Sequence, residues 1–182
     1  MSMSKEADRT VWKRGFCAAK ASRLSVFTLL ARQILACALC LFALTAPSTI
    51  AAQPAMASDL AREAQGTGRR PLVLFFTLAG CPFCERARRE YLRPLAGSPN
   101  WQSKAVLREV PIEATLKGFD GRRLSGRELA RSYAVTVYPT VVFVDATGKS
   151  VAPPLAGFAV PDFYGAMLEE RLEIAGSHMP SP

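Results

Sequence analysis

A chain of 182 residues with 49% hydrophobic and 21% charged residues suits one globular domain plus an apolar excess, and excludes low-complexity disorder. The net charge is +8, but residues 1–57 hold seven Lys/Arg against two Asp/Glu (+5), leaving sixteen against thirteen (+3) for the remainder. So small a basic excess on the domain argues against a nucleic-acid footprint, and the cluster Arg86, Arg88, Arg89 and Arg93 reads as a solvated helix face.

Residues 1–23 carry six Lys/Arg, and an apolar stretch begins at Leu24. A cleaner apolar run of 11 residues, Ile34–Leu44, precedes the small residues Ala51-Ala52 and Ala55-Met56-Ala57. That run is short for a bilayer span, which needs about 20 residues. A basic region, a short apolar core and a small-x-small site describe a secretory signal peptide, so residues 1–57 are predicted to be one. Cleavage is expected after Ala57, with Ala52 as the alternative site. An uncleaved anchor over Leu24–Ala46 is the competing reading.

The domain is predicted over residues 58–176, with a disordered tail at 177–182. A short helix is expected over 58–66, capped by Ser58 or Asp59 and ended by Gly66 and Gly68. The run Leu72-Val73-Leu74-Phe75-Phe76 reads as a strand buried on both faces. Thr77–Gly80 turns the chain into a helix from Pro82 to about Leu95, since proline is tolerated in a first helical turn. Helical spacing sets Cys84, Ala87, Tyr91 and Leu95 toward the sheet and Arg86, Arg89 and Arg93 toward water. Residues 105–112 are the next strand, and 114–124 are expected to be a loop. Ser125 caps a helix running to about Tyr133, with Glu128 at the capping-box position. Thr140–Asp145 is a further buried strand, and the turn 146–149 sends the chain back through Ser150 to Leu155. The last helix is predicted from Pro161 to about Ala175, burying Phe163, Met167, Leu168 and Leu172.

Five cysteines are present, and Cys17, Cys37 and Cys40 fall in the predicted signal segment. The remainder keeps Cys81 and Cys84, an even count that suits an oxidising compartment. A structural zinc site needs about four ligands, and the one histidine is His178, so no metal site is expected. A purely structural disulfide closing so small a loop removes little entropy from the unfolded chain. Redox chemistry is therefore the preferred reading. At a helix start the first thiol meets unpaired N–H groups and the positive dipole end, which favour thiolate. Cys81 is expected to attack, and Cys84 to resolve the resulting mixed disulfide.

Together these residues resemble the thioredoxin superfamily: the buried strand 72–76, C-P-F-C at 81–84, Tyr138-Pro139-Thr140 before the strand 141–145, and Gly157 before the last helix. The resemblance covers about residues 58–175. It implies an α/β fold with a central mixed sheet flanked by helices, and a cis Pro139 facing the cysteine pair. It also implies partner contacts at Phe83, Tyr138, Pro139 and Thr140. The chain departs from the family where a buried Asp is usual, since that position is Phe75; Glu109 and Glu85 are the candidate substitutes. The step Tyr138-Pro139-Thr140 also differs from the T-V-P of glutaredoxins. Residues 84–95 look most like exported bacterial thioredoxin-like proteins of the sulfur-oxidation (Sox) and cytochrome c maturation type. That likeness implies a periplasmic, monomeric reductant of protein disulfides, fed by a membrane thiol transporter and using no cofactor. A Dsb-type oxidase or isomerase, and a non-catalytic binding protein on the same scaffold, are the alternatives.

Overall fold

The computed structural model describes residues 53–179. Residues 1–52, with most of the predicted signal segment and Cys17, Cys37 and Cys40, lie outside the described residues, as do 180–182.

The sheet grows outward from its most apolar segment. β2 (Leu72–Thr77) is buried along its whole length. Its continuous run of Leu, Val and Phe leaves neither face fit for water. It pairs in parallel with β3 (Val106–Pro111) and antiparallel with β6 (Thr140–Val144). The short strands β1 (Ala55–Met56) and β7 (Leu155–Ala156) complete a five-stranded mixed sheet of order β1-β3-β2-β6-β7. A separate antiparallel pair is formed by β4 (Thr115–Lys117) and β5 (Arg123–Ser125).

Alternation along β2 divides the core into two layers. Val73 and Phe75 join Val141 and Phe143 on one face, under helix α2 (Pro82–Ala87) and the long helix α6 (Pro161–His178). Leu72, Leu74 and Phe76 face the other way, toward α1 (Leu60–Gln65) and α5 (Gly126–Ser132). Asp59 caps α1 by accepting from the Arg62 N–H, and Ser125 with Glu128 forms a full capping box on α5.

Several expectations change. Ala55 and Met56 pair with Arg108 and Glu109, and the Ala57 N–H bonds the Glu109 carbonyl at 2.8 Å, so the fold begins before the predicted boundary at residue 57. The predicted helix 82–95 is not uniform. After α2 the chain makes a π-helical turn (Arg88–Leu92) and resumes as α3 (Arg93–Gly97). Pro94 supplies the cause: its ring crowds the carbonyl four residues back and it has no N–H to give. The Arg93 N–H reaches five residues back to the Arg88 carbonyl. One extra residue per turn shifts the buried face from Tyr91 to Leu92, so Tyr91 and Leu95 are only partly buried.

Ser98 then caps α4 (Pro99–Lys104), which buries Trp101. The predicted loop 114–124 contains the β4–β5 hairpin, turning through Gly121 at φ +75°. The return toward Leu155 is mostly not strand: Ser150 makes one bridge to Val144, and Pro153-Pro154 lack donors before β7. In α6 the buried stripe is Tyr164, Leu168, Leu172 and Ala175, whereas Phe163 is 64% exposed. One residue is about 100° around a helix, enough to turn Phe163 off that stripe. The helix continues through His178, into the span expected to be a disordered tail. Among the described residues no helix is long and apolar enough to cross a membrane.

Candidate active site

β2 ends at Thr77, and Leu78–Gly80 carries the chain over the sheet edge, with Gly80 at φ +71°. That left-handed step suits glycine. It delivers Cys81 as the N-cap of α2, with extended backbone and Pro82 in the first turn. The Cys81 sulfur accepts the Cys84 N–H at 3.2 Å, filling the role a Ser or Asp oxygen plays at other N-caps. Both cysteines are free thiols; Cys81 is partly exposed and Cys84 is 1% exposed. The pair is thus asymmetric, with one sulfur open to a partner and the other behind it. Burial, reinforced by the hydrogen bond with Cys81, pushes the Cys84 thiol up to about 12.

Two loops close over the pair. The Tyr138–Pro139 peptide bond is cis, and the Tyr138 carbonyl lies 3.9 Å from the Cys81 sulfur. The Gly157 N–H donates to the Pro139 carbonyl at 2.7 Å, tying the loop before α6 to the loop before β6. Of the residues expected to meet a partner, Phe83 is 57% exposed and Tyr138 is partly buried. Pro139 and Thr140 are buried, and the Thr140 hydroxyl donates to the Val137 carbonyl at 2.8 Å. Thr140 therefore shapes the loop and does not present its side chain to a partner. Leu78 and Val137, which the sequence did not single out, are 40% and 47% exposed and extend the apolar rim begun by Phe83.

Beneath Cys84 lies a buried ion pair. Glu109, opposite Phe75 in the β2–β3 register, is 5% exposed. The Thr77 hydroxyl donates to its Oε1 at 3.1 Å, and Arg88 Nε donates to its Oε2 at 2.9 Å. Arg88 Nη2 also donates to Glu109 Oε1, and Arg88 Nη1 pairs with the exposed Glu85. These two carboxylates hold the Arg88 guanidinium firmly protonated. Arg88 is thus not part of a solvated face: its side chain is 14% exposed. The available signal was spacing, because Arg88 stands four residues after Cys84, one helical turn along the face that Cys84 buries.

Solved structures with similar folds include a thioredoxin-fold protein from Helicobacter pylori, 24% identical over 62% of this chain and 84% of that one, with a TM-score of 0.38. The thioredoxin Mala s 13 of Malassezia sympodialis is 18% identical over 66% and 95%, with a TM-score of 0.47. The reduced periplasmic thioredoxin SoxS of Paracoccus pantotrophus is 19% identical over 58% and 99%, with a TM-score of 0.42. A search of curated proteins finds no match. The sequence profile of the thioredoxin-like domain matches residues 58–171, well over half of the chain, and the strand–CxxC–helix unit and four of the five strands of the mixed sheet lie within that span. The chain belongs to the thioredoxin-like domain family.

Proposed function

We propose that this protein is an exported, periplasmic thiol–disulfide oxidoreductase that reduces disulfides in partner proteins through Cys81 and Cys84. The observation that carries the reading is the asymmetry of the pair: two free thiols at one helix start, one accessible and one buried behind it. The Cys81 thiolate attacks a partner disulfide, forming a mixed disulfide and releasing one partner sulfur as thiolate. Cys84 then loses its proton and attacks the Cys81 sulfur, and the second partner thiolate leaves. The two electrons of the dithiol pass to the partner, and the protein is left with a Cys81–Cys84 disulfide.

The reducing direction is part of the proposal, and the burial of Cys84 supports it. A pair is oxidising when its reduced form is stabilised as thiolate, and burial here disfavours charge on Cys84. Such a reductant in an oxidising compartment needs its own electron supply, which points to a membrane thiol transporter as donor. The basic, apolar and small-residue pattern of residues 1–57 supports export.

The reduction potential tests the direction. It is measured on the full chain with Cys17, Cys37 and Cys40 changed to Ser, in dithiothreitol or glutathione buffers. A value near about −270 mV is expected, and one near about −120 mV would make the protein a disulfide-forming oxidase instead. In the same background Cys84→Ser should accumulate mixed disulfides on Cys81. Unchanged partner binding with no such adducts would identify a binding module.

A further inference from the structure

The buried resolving thiol poses a problem that the ion pair beneath it answers. During turnover Cys84 must become a thiolate, yet it is 1% exposed and burial opposes its charge. The groups that face it come from three sides. On its own helix stand Cys81, whose sulfur accepts the Cys84 N–H, and Arg88, one turn on. From α6 comes Tyr164, whose hydroxyl is buried and has no hydrogen-bond partner among the described residues. From the loop after β2 comes Leu78, whose backbone hydrogen bond favours the thiolate, and behind Arg88 lie Glu109 of β3 and Thr77 of β2, bonded to each other.

Neither carboxylate is placed as a free proton acceptor. Both oxygens of Glu109 are taken, Oε1 by Thr77 and Arg88 and Oε2 by Arg88, and Glu85 is exposed and also paired with Arg88. Beyond the Leu78 backbone, what remains is a fixed positive charge. The Arg88 N–H bonds the Cys84 carbonyl, so the two side chains leave the helix on one face. The guanidinium sits 6.0 Å from the centre of the Phe75 ring, between helix and sheet.

We infer that Arg88, clamped by Glu109, is the positioning residue that stabilises the Cys84 thiolate during resolution of the mixed disulfide. The inference rests on the exchange reading above and gives the family's missing buried acid an electrostatic substitute instead of a base. The proton of Cys84 leaves to solvent, and Arg88 lowers the cost of the charge left behind. Glu109 keeps Arg88 in place, because a lone buried guanidinium is unfavourable.

The test separates the two chemical steps. The full chain with Cys17, Cys37 and Cys40 changed to Ser is reduced and mixed with excess 5,5′-dithiobis(2-nitrobenzoate), and release of the coloured thiolate is followed. Attack by Cys81 releases one equivalent at a rate that rises with reagent concentration. Attack by Cys84 releases the second at a rate independent of it. The double variant Arg88→Met/Glu109→Gln removes the pair while conserving net charge, so neither an orphan charge nor altered attraction of the anionic reagent intervenes. Its second phase should slow about tenfold at neutral pH, equivalent to one pH unit, with the first phase unchanged. Arg88→Lys keeps the charge and should hold the second phase near the wild-type rate. An unchanged second phase in the double variant overturns the inference. So does an Arg88→Lys variant that slows that phase as much as the double, since the positive charge would then not be what acts. Failure of the parent protein to release two equivalents overturns the exchange reading itself, a result distinct from either.

Discussion

Cys84 binds its proton more tightly in the folded domain than in the unfolded chain, because burial raises its pKa from 9.0 to about 12. Folding therefore gains from the thiol form below about pH 9, and that gain is lost as pH climbs toward 12. Over that window the unfolded chain has given up a proton that the folded one keeps, so stability falls by at most about 1.4 kcal/mol per pH unit from this group. Urea midpoints of the reduced protein measured between pH 8 and 10 should fall with a steeper slope than those of Cys84→Ala; parallel slopes would show that Cys84 is not perturbed. Gly126 is a different kind of single-residue constraint. A Cβ there would lie 2.2 Å from the Pro111 carbonyl oxygen, and both groups are backbone at the junction of α5 with the end of β3. Neither can swing aside, so Gly126→Ala should destabilise by about 1–3 kcal/mol, read as a lowered denaturation midpoint.

Elements with strong local signals were legible. β2 and β6 are continuous apolar runs, and α5 announces itself by its capping box. Cys81 and Cys84 could be placed at a helix start because Pro82 marks a first turn. The rest depended on partners distant in sequence. Ala55–Met56 has no pattern of its own and is a strand only because β3 offers an unpaired edge. The π-helical turn depends on Pro94, which acts on residues before it and displaces the helical phase by one. Arg88 belonged by composition to an arginine cluster, and only the arrival of Glu109 on β3 makes it a buried partner. β1 yields a prediction, since its pairing and the Ala57 N–H bond to Glu109 edge the strand that carries the ion pair. A chain starting at Ser58 should be less stable than one starting at Gln53 by about 2 kcal/mol, the loss of two or three backbone hydrogen bonds at about 1 kcal/mol each. Equal thermal midpoints would show that β1 contributes nothing.

At the scale of the molecule, the proposed function assigns recognition and chemistry to different side chains. The reacting sulfur of Cys81 sits at the helix start, whereas Leu78, Phe83 and Val137 expose apolar area around it without a polar partner to satisfy. Residues 58–182 carry a net charge of only +3, too little to steer one class of charged partner strongly. A protein partner would therefore gain affinity mainly by covering that rim, and a small disulfide, touching Cys81 alone, would gain almost nothing. Partial burial of one large apolar side chain is worth about 1.5 kcal/mol, or about tenfold in binding. The double variant Phe83→Ser/Val137→Ser should accordingly lower kcat/KM for a protein disulfide such as insulin by about tenfold or more. Its first-phase reaction with 5,5′-dithiobis(2-nitrobenzoate) should stay near the parent rate, because Cys81 remains the N-cap of α2 and its sulfur still accepts the Cys84 N–H. Equal losses with both substrates would mean that the substitutions disturb Cys81 itself, and no loss with insulin would mean that partners dock elsewhere.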